Sequence, residues 1–295
     1  GADAVIDDFS IDHSIDEITS ACQAVGFNTI PAWLRPFKTL SNGEKFRVDV
    51  ARRLLELPSP IVVDEFSSVV DRQVATIASH AVQKYIRKSS KQFIAIICHN
   101  DIVDWLQPDW IFQPGNLTFT RRLLQPRPKI DVKIGRVTSN MWQHFAPFHY
   151  MSAELHNASV CFALWANDNL AAFAAVLHRP HPKTKNLKAI HRVVTLPDFQ
   201  GTGLAFVLME SLGAAYKSRN VRLRMYPAHP PFARAFVKNA KWLMCKELGT
   251  FAPYTGFKGL QKKDGSSGFG NRMCAVFEYV GASMSAADSI RLLGC

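Results

Sequence analysis

Residues 191–212, HRVVTLPDFQGTGLAFVLMESL, run from an apolar strand pattern through a glycine turn into an apolar helix pattern. A strand that feeds a helix this abruptly requires the helix to pack back on a sheet, so this part of the chain reads as mixed α/β. The flanks agree with that reading. IDVKIGRV has the character of a strand and SNMWQHFAPFHYM of a helix, while SVCFALW and LAAFAAVLH form two strands joined at Asn167-Asp168-Asn169. After AIHRVVTLP comes a helix from about Gly203 to Lys217, then a strand in VRLRMYP, a helix in FARAFVKNA and a late strand in RMCAVFEYV. The cluster DGSSGFGN at 264–271 reads as a loop.

The first part of the chain has a different rhythm. Ser14 to Val25 is an amphipathic helix pattern, with Ser14 and Glu17 in capping-box positions. A second helix covers Glu44 to Glu56, followed by the strand IVVDE, a helix from about Arg72 to Lys88 and the strand FIAIICH. Short continuous apolar runs separated by helices indicate a parallel sheet covered on both faces. Pro126 and Pro128 mark a boundary, giving domains at 1–125 and 126–295, a division that 295 residues accommodate.

Charge divides along the same line. Residues 1–125 hold 13 Lys+Arg against 15 Asp+Glu, net −2, and residues 126–295 hold 22 against 9, net +13. A basic domain beside a near-neutral one suggests a polyanionic ligand, nucleic acid first among them. No apolar run approaches the ~20 residues of a membrane-spanning helix. Gly-Ala in place of an initial Met suggests a processed or cloned fragment. The six cysteines are scattered, with no CxxC pair, which argues against structural zinc and a disulfide framework and for a reducing cytoplasm.

LSNGE at 40–44, with Arg47 and Ala51-Arg52 behind it, resembles the signature motif of the ABC ATPases. IVVDE (61–65) resembles their Walker B strand, DEFSSVVD the run to the D-loop, and ICH (97–99) the strand ending in the switch histidine. The resemblance implies a magnesium held through water by Asp64, Glu65 as the base that activates water, and nucleotide contacts from Ser41, Gly43, Asp71 and His99. The phosphate loop GxxxxGK[ST] is not found in this sequence, so ATP and Mg2+ would depend on a loop supplied upstream or by a partner. In that family the signature faces the nucleotide of a second protomer, which implies a homodimer through LSNGE. Asn42 and Glu44 depart from the common LSGGQ, and the glutamate resembles chromosome-maintenance members more than transporters.

QGTGLA (200–205) resembles motif A of the GNAT acetyltransferases, with Gln200, Gly203 and Ala205 in place. The resemblance implies that acetyl-CoA, or another acyl-CoA, sets its pyrophosphate on the amides of Gln200, Gly201, Thr202, Gly203, Leu204 and Ala205. Its pantetheine arm would pair with the backbone of the strand before, at Val194 and Leu196. For acyl transfer the candidates are His191 as base and Tyr226 or His229 as acid, because Phe236 stands where many members carry a tyrosine. His149, Tyr150 and Glu154 would lie on the acceptor side, and Arg222 and Arg224 favour an acidic acceptor or a nucleic-acid surface.

The expected fold class is thus a partial P-loop NTPase parallel sheet of ABC type followed by a GNAT-like mixed α/β acyl-CoA-binding domain. The expected function is an N-acetyltransferase gated by the ATPase module, its acceptor a nucleic-acid base or another amine on a polyanion. The alternative is a nucleic-acid-associated ABC protein that binds acyl-CoA without transferring it.

Overall fold

The computed structural model describes residues 3–121, 129–149, 154–181, 184–228, 230–247 and 274–294. In the first half, α1 (Ile15–Ala24) starts at Ser14, where Ser14 and Glu17 form the expected capping box. A short α2 (Ile30–Trp33) leads to α3 (Asn42–Glu56), whose inner face carries Phe46, Val48, Val50, Ala51 and Leu54. β1 (Ile61–Val63), α4 (Arg72–Ile86) and β2 (Phe93–Ala95) follow, with β1 and β2 pairing in parallel. These elements close around a core running from Val5 to Ile102.

Among the described residues the expected parallel sheet is two strands wide. Val62 is 45% exposed and Ile96 is 51% exposed, so one side of the pair is open where coverage on both faces was expected. α5 (Val103–Leu106) precedes a hairpin that the sequence did not announce. Its strands β3 (Trp110–Gln113) and β4 (Thr118–Arg121) are exposed, with Trp110 stacked on Phe119 at 5.8 Å.

Among the described residues the second half is built on one seven-stranded sheet. Its strands are β5 (Val132–Val137), β6 (Val160–Ala166), β7 (Asn169–His178), β8 (Leu187–Thr195), β9 (Arg222–Met225), β10 (Trp242–Lys246) and β11 (Val276–Tyr279). They lie in the order β10-β11-β9-β8-β7-β6-β5. β6 and β7 are joined by Asn167 and Asp168, both at positive φ (48° and 63°), the conformation a tight two-residue hairpin demands and Asn and Asp tolerate. The helix expected over SNMWQHFAPFHYM is instead two 3-10 turns, Ser139–His144 and Ala146–Phe148, the second containing Pro147.

The strand period sorts side chains between two layers. Along β7, Ala172, Ala174 and Val176 join one core, while Phe173 and Ala175 join the other with Trp142 and Phe145. The first core takes α6 (Leu204–Ser218), which buries Leu204, Leu208, Met209, Leu212 and Tyr216. Each such apolar side chain contributes roughly 1.5–3 kcal/mol on burial. α7 (Pro230–Val237) and α8 (Ala286–Leu293) complete this layer.

Two features of the sheet position the site. β8 and β9 are its parallel neighbours, and their pairing stops at Ile190–Met225 although β8 continues to Thr195. The sheet therefore opens beyond Ile190. At the same point Ala175 pairs with Arg192 and Val176 with Ile190, so His191 is the extra residue of a β-bulge. Ile77 of α4 enters the core of the second half, so the two halves touch beside this opening. Among the described residues, no helix is long and apolar enough to cross a membrane.

Candidate functional site

The turn between β8 and α6 is where the open edge meets a helix start. Gly203 is the N-cap of α6, with φ 93° and no side-chain cap. A Cβ on Gly203 would meet nothing within 4 Å, so the space in front of the turn is clear. Among the described residues, the amides of Gly201, Thr202, Gly203 and Ala205 donate to no protein acceptor. Unsatisfied donors at the positive end of a 15-residue helix attract an anion. Thr202 donates its hydroxyl back to the Phe199 carbonyl (2.6 Å) and accepts from the Leu204 amide (3.4 Å), so Thr202 contributes through its backbone, while Leu204, its amide engaged, packs into the core.

Gln200 has a different role from the one expected. It is 8% exposed, and its Nε2 donates to Thr29 Oγ1 (2.8 Å) and to the Thr195 carbonyl (3.0 Å). Its Oε1 accepts from the Asn28 amide (2.6 Å). Every polar atom of the side chain is used within the protein. Gln200 braces the turn against the 26–29 loop and does not face the opening. Gly26 (φ 79°) sits so close that a Cβ there would lie 2.4 Å from the Gln200 carbonyl oxygen. Gly201 meets Gly26 from the other side, with 3.0 Å between its own would-be Cβ and Gly26 Cα. Lys84 Nζ donates to the Gly201 carbonyl (3.1 Å), bringing a cation beside the turn.

Strand register also corrects the expectation for Val194 and Leu196. Leu196 donates its amide to the Ala171 carbonyl (2.9 Å), and Val194 lies two residues earlier, opposite Phe173. In an antiparallel ladder both then point their polar backbone groups at β7. Val193 and Thr195, in the alternate phase, direct theirs toward the open edge. Val193 can therefore pair with an extended ligand arm through both backbone groups and Thr195 through its amide, its carbonyl already accepting from Gln200.

On the far side of the bulge, the loop that precedes β6 lies over His191. His191 Nε2 is 2.9 Å from Ser159 Oγ. Arg192 reaches the Glu154 carbonyl (3.3 Å) with one guanidinium nitrogen and the His191 carbonyl (3.1 Å) with another. His149 packs its ring against Trp142. Burial, reinforced by the Arg192 charge, pushes both His149 and His191 down to about 4, so both are neutral at physiological pH.

Tyr226 follows the last paired residue of β9, and the Arg179 guanidinium stacks 4.5 Å over its ring. Phe236 is fully buried among Phe206, Phe232, Trp242 and Phe277, an apolar packing role that leaves no proton to give. His229, Tyr150, the 264–271 loop and the Pro126–Pro128 boundary lie outside the described residues. Arg222 and Arg224 were expected to offer charge to a polyanion. Instead both grip Glu278, at 2.7 Å each, and their guanidinium groups outweigh burial to hold its carboxyl below the usual range. One of their two positive charges is offset by this carboxylate, and Arg222 remains half exposed.

In the first half, the parallel register brings Asp64, Glu65 and His99 to one end of the β1–β2 pair, all three exposed. Glu65 has φ 51°, and its amide donates to Asp64 Oδ1 (2.9 Å). Among the described residues, no three His, Cys, Asp or Glu side chains converge on a cation position. Asp71 caps α4 through the Gln73 amide (2.8 Å). Gly43 is packed, since a Cβ there would come 3.2 Å from Val74 Cγ1 on α4. Ser41 accepts from the Glu44 amide (3.3 Å), while the Glu44 carboxylate accepts from the Ser41 amide (2.9 Å) and pairs with Arg35 (3.2 Å). The start of α3 is thus filled by its own side chains. Arg47 behind it is 1% exposed, its guanidinium pulled down by burial and supported by Asp198 and Glu44.

Asn28, Thr29, Gly26, Lys84 and Ser159 were not singled out by sequence reasoning. Only Gly26 carried a signal, as a glycine following the α1 pattern. The others act through partners distant in the chain.

Residues 117–234 match the profile of the acetyltransferase (GNAT) family. No protein of curated function matches the chain. Among solved structures, the chain is similar to the ribosomal-protein-S18-alanine N-acetyltransferase of Escherichia coli, at 19% identity and a TM-score of 0.36 over 52% of this chain and 96% of that one. An acetyltransferase of Bacillus subtilis in complex with CoA gives 14% identity and a TM-score of 0.35, over 52% of this chain and 99% of that one. An IAA acetyltransferase of Bacillus cereus gives 11% and 0.35, over 50% and 99%.

Proposed function

We propose, from the premise that residues 117–234 form an acetyltransferase (GNAT) family domain, that this chain is an acyl-CoA-dependent N-acyltransferase. The observation that carries this reading is the uncapped start of α6 at Gly203, set where β8 parts from β9. The amides of Gly201, Thr202, Gly203 and Ala205 would receive the pyrophosphate, and Val193 and Thr195 would pair with the pantetheine arm. When bound, acyl-CoA supplies an activated thioester carbonyl. His191, at the bulge, is the base we assign, and Tyr226 is the side chain closest in the chain to the end of β9 that could return a proton.

The acceptor we propose is an amine carried by a polyanion, a nucleic-acid base being the leading case. The net +13 of residues 126–295 supports it, although Glu278 offsets one of the two charges of Arg222 and Arg224. Calorimetry with acetyl-CoA tests the donor half of this reading, and no binding would overturn it. Turnover with tRNA, duplex DNA and a polyamine tests the acceptor half. Phe236, where a tyrosine acid is common, favours a second reading in which the domain binds acyl-CoA without transferring it. Tight binding with no turnover on any of the three acceptors would favour that one.

For the first half we propose an ABC-type module that gates the turn from a reducing, cytoplasmic setting. The support is the brace of Gln200 on Asn28 and Thr29, and the position of Arg47, on the LSNGE helix, near Asp198. Nucleotide and Mg2+ would reach it together with a phosphate loop from elsewhere, upstream in the chain or on a partner docking at Ser41 and Gly43. An ATP analogue that leaves both the sedimentation of the chain and its acetyl-CoA affinity unchanged would count against gating.

A further inference from the structure

The hydroxyl of Ser159 has one proton and two neighbours. Its oxygen lies 2.5 Å from the His156 carbonyl and 2.9 Å from His191 Nε2. A carbonyl oxygen only accepts, so the short contact to His156 requires Ser159 to donate there. Were the proton turned to His191 instead, two oxygen lone pairs would face each other at that distance. With the proton committed to His156, the contact to His191 is a hydrogen bond only if Nε2 carries a hydrogen and donates. The His156 carbonyl is itself anchored, since it also accepts from the Ser159 amide (2.9 Å).

We infer that Ser159 is a positioning residue for His191: it holds the imidazole as the Nε2–H tautomer and leaves Nδ1 as the nitrogen that accepts a proton. This rests on the acyl-transfer reading above. Among the described residues, His191 Nδ1 has no hydrogen-bond partner, which keeps its lone pair available. A neutral imidazole has one basic nitrogen, and the bond made by the other decides which it is. In the transfer, the acceptor nitrogen forms a bond to the thioester carbonyl carbon while its proton moves to Nδ1. The carbon–sulfur bond breaks with its electron pair on sulfur, the thiolate takes a proton from Tyr226, and the imidazolium proton passes through solvent to restore the phenol. The same proton count excludes Ser159 as a nucleophile activated by His191, because Ser159 accepts from that histidine.

The test combines nitrogen NMR of histidine-labelled protein with kinetics of Ser159→Ala and Ser159→Thr. Thiol release from acetyl-CoA is followed with tRNA, duplex DNA and spermidine as acceptors. In the wild type His191 is expected as the Nε2–H tautomer, and Ser159→Ala is expected to mix the tautomers. General-base catalysis is worth roughly 100-fold or more, so partial loss of the right tautomer should lower kcat about tenfold. KM for acetyl-CoA should change less than about twofold, because the amides at the helix start are untouched. Ser159→Thr keeps the hydroxyl and should restore both tautomer and rate, which a purely packing role would not predict. An Nδ1–H tautomer in the wild type overturns the proposal whatever the variants do. So does a His191→Asn variant that transfers at full rate, and that result would leave the proposed function standing. A wild type that releases no thiol with any acceptor overturns both.

Discussion

Two helices in this chain begin at glycine-bearing turns, and they use their first amides in opposite ways. α3 begins at LSNGE and closes its own end, with Ser41 and Glu44 exchanging hydrogen bonds and a buried carboxylate occupying the place an anion would take. α6 begins at QGTGLA with Gly203 at the cap, only the Thr202 hydroxyl reaching back to the Leu204 amide (3.4 Å), and open space where a Gly203 side chain would go. The glycine count is a poor guide to which turn is ready for a phosphate. What separates them is whether a carboxylate three residues on reaches back, as Glu44 does and as Phe206, at the matching position of α6, does not. An anion arriving at α3 must displace Glu44. An anion arriving at α6 meets amides that, among the described residues, have no protein acceptor.

The sharpest way to break this comparison is to give α6 a cap of its own. Gly203→Asp, at a positive φ that Asp tolerates better than most residues, should lower acetyl-CoA affinity about 100-fold, or about 2.7 kcal/mol. Calorimetry measures it, with a melting curve to confirm the fold. Next in size is Gln200→Ala, which leaves the Asn28 amide, the Thr29 hydroxyl and the Thr195 carbonyl without this partner. Loss of such buried bonds should cost about 2–3 kcal/mol in urea unfolding. Ser41→Ala removes a helix cap and should cost about 1 kcal/mol, with acetyl-CoA affinity unchanged. A drop in that affinity would show that the two helix starts are less independent than their geometry indicates.

A separate effect is expected in pH. His149 and His191 are held at about 4 against an ordinary 6.5, so the unfolded chain takes up protons that the native chain refuses. Stability should therefore be level above about pH 6.5 and fall as the pH is lowered from there toward 4. Thermal melts across that range check the slope, and replacing both histidines by Asn should flatten it.

Much of the fold was legible because its signals are local. The capping box at Ser14, the apolar runs of β6 and β7, the Asn167-Asp168 turn and the strand–turn–helix at 191–212 each carry their instruction within a few residues. The 3-10 turns at 139–148 were read as one helix because the apolar spacing is helical, while Pro147 interrupts it. The roles of Gln200 and Arg222 were hidden for a different reason. A glutamine within a glycine motif looks like a ligand until Thr29 is seen beside it, 171 residues away in sequence. Arginines on a strand look like a surface until Glu278 arrives from another strand. Backbone phase was lost too, since choosing between Val193 and Val194 needs the register with β7.

The brace at Gln200 makes the two halves thermodynamic neighbours. If ordering of the 26–29 loop favours the turn that receives an anion, then binding at the turn must favour that loop by the same factor, because linkage runs equally in both directions. Acetyl-CoA should accordingly slow amide exchange not only at the start of α6 but also at Phe27 to Thr29. The first half would then record occupancy of a site to which it contributes no backbone amide.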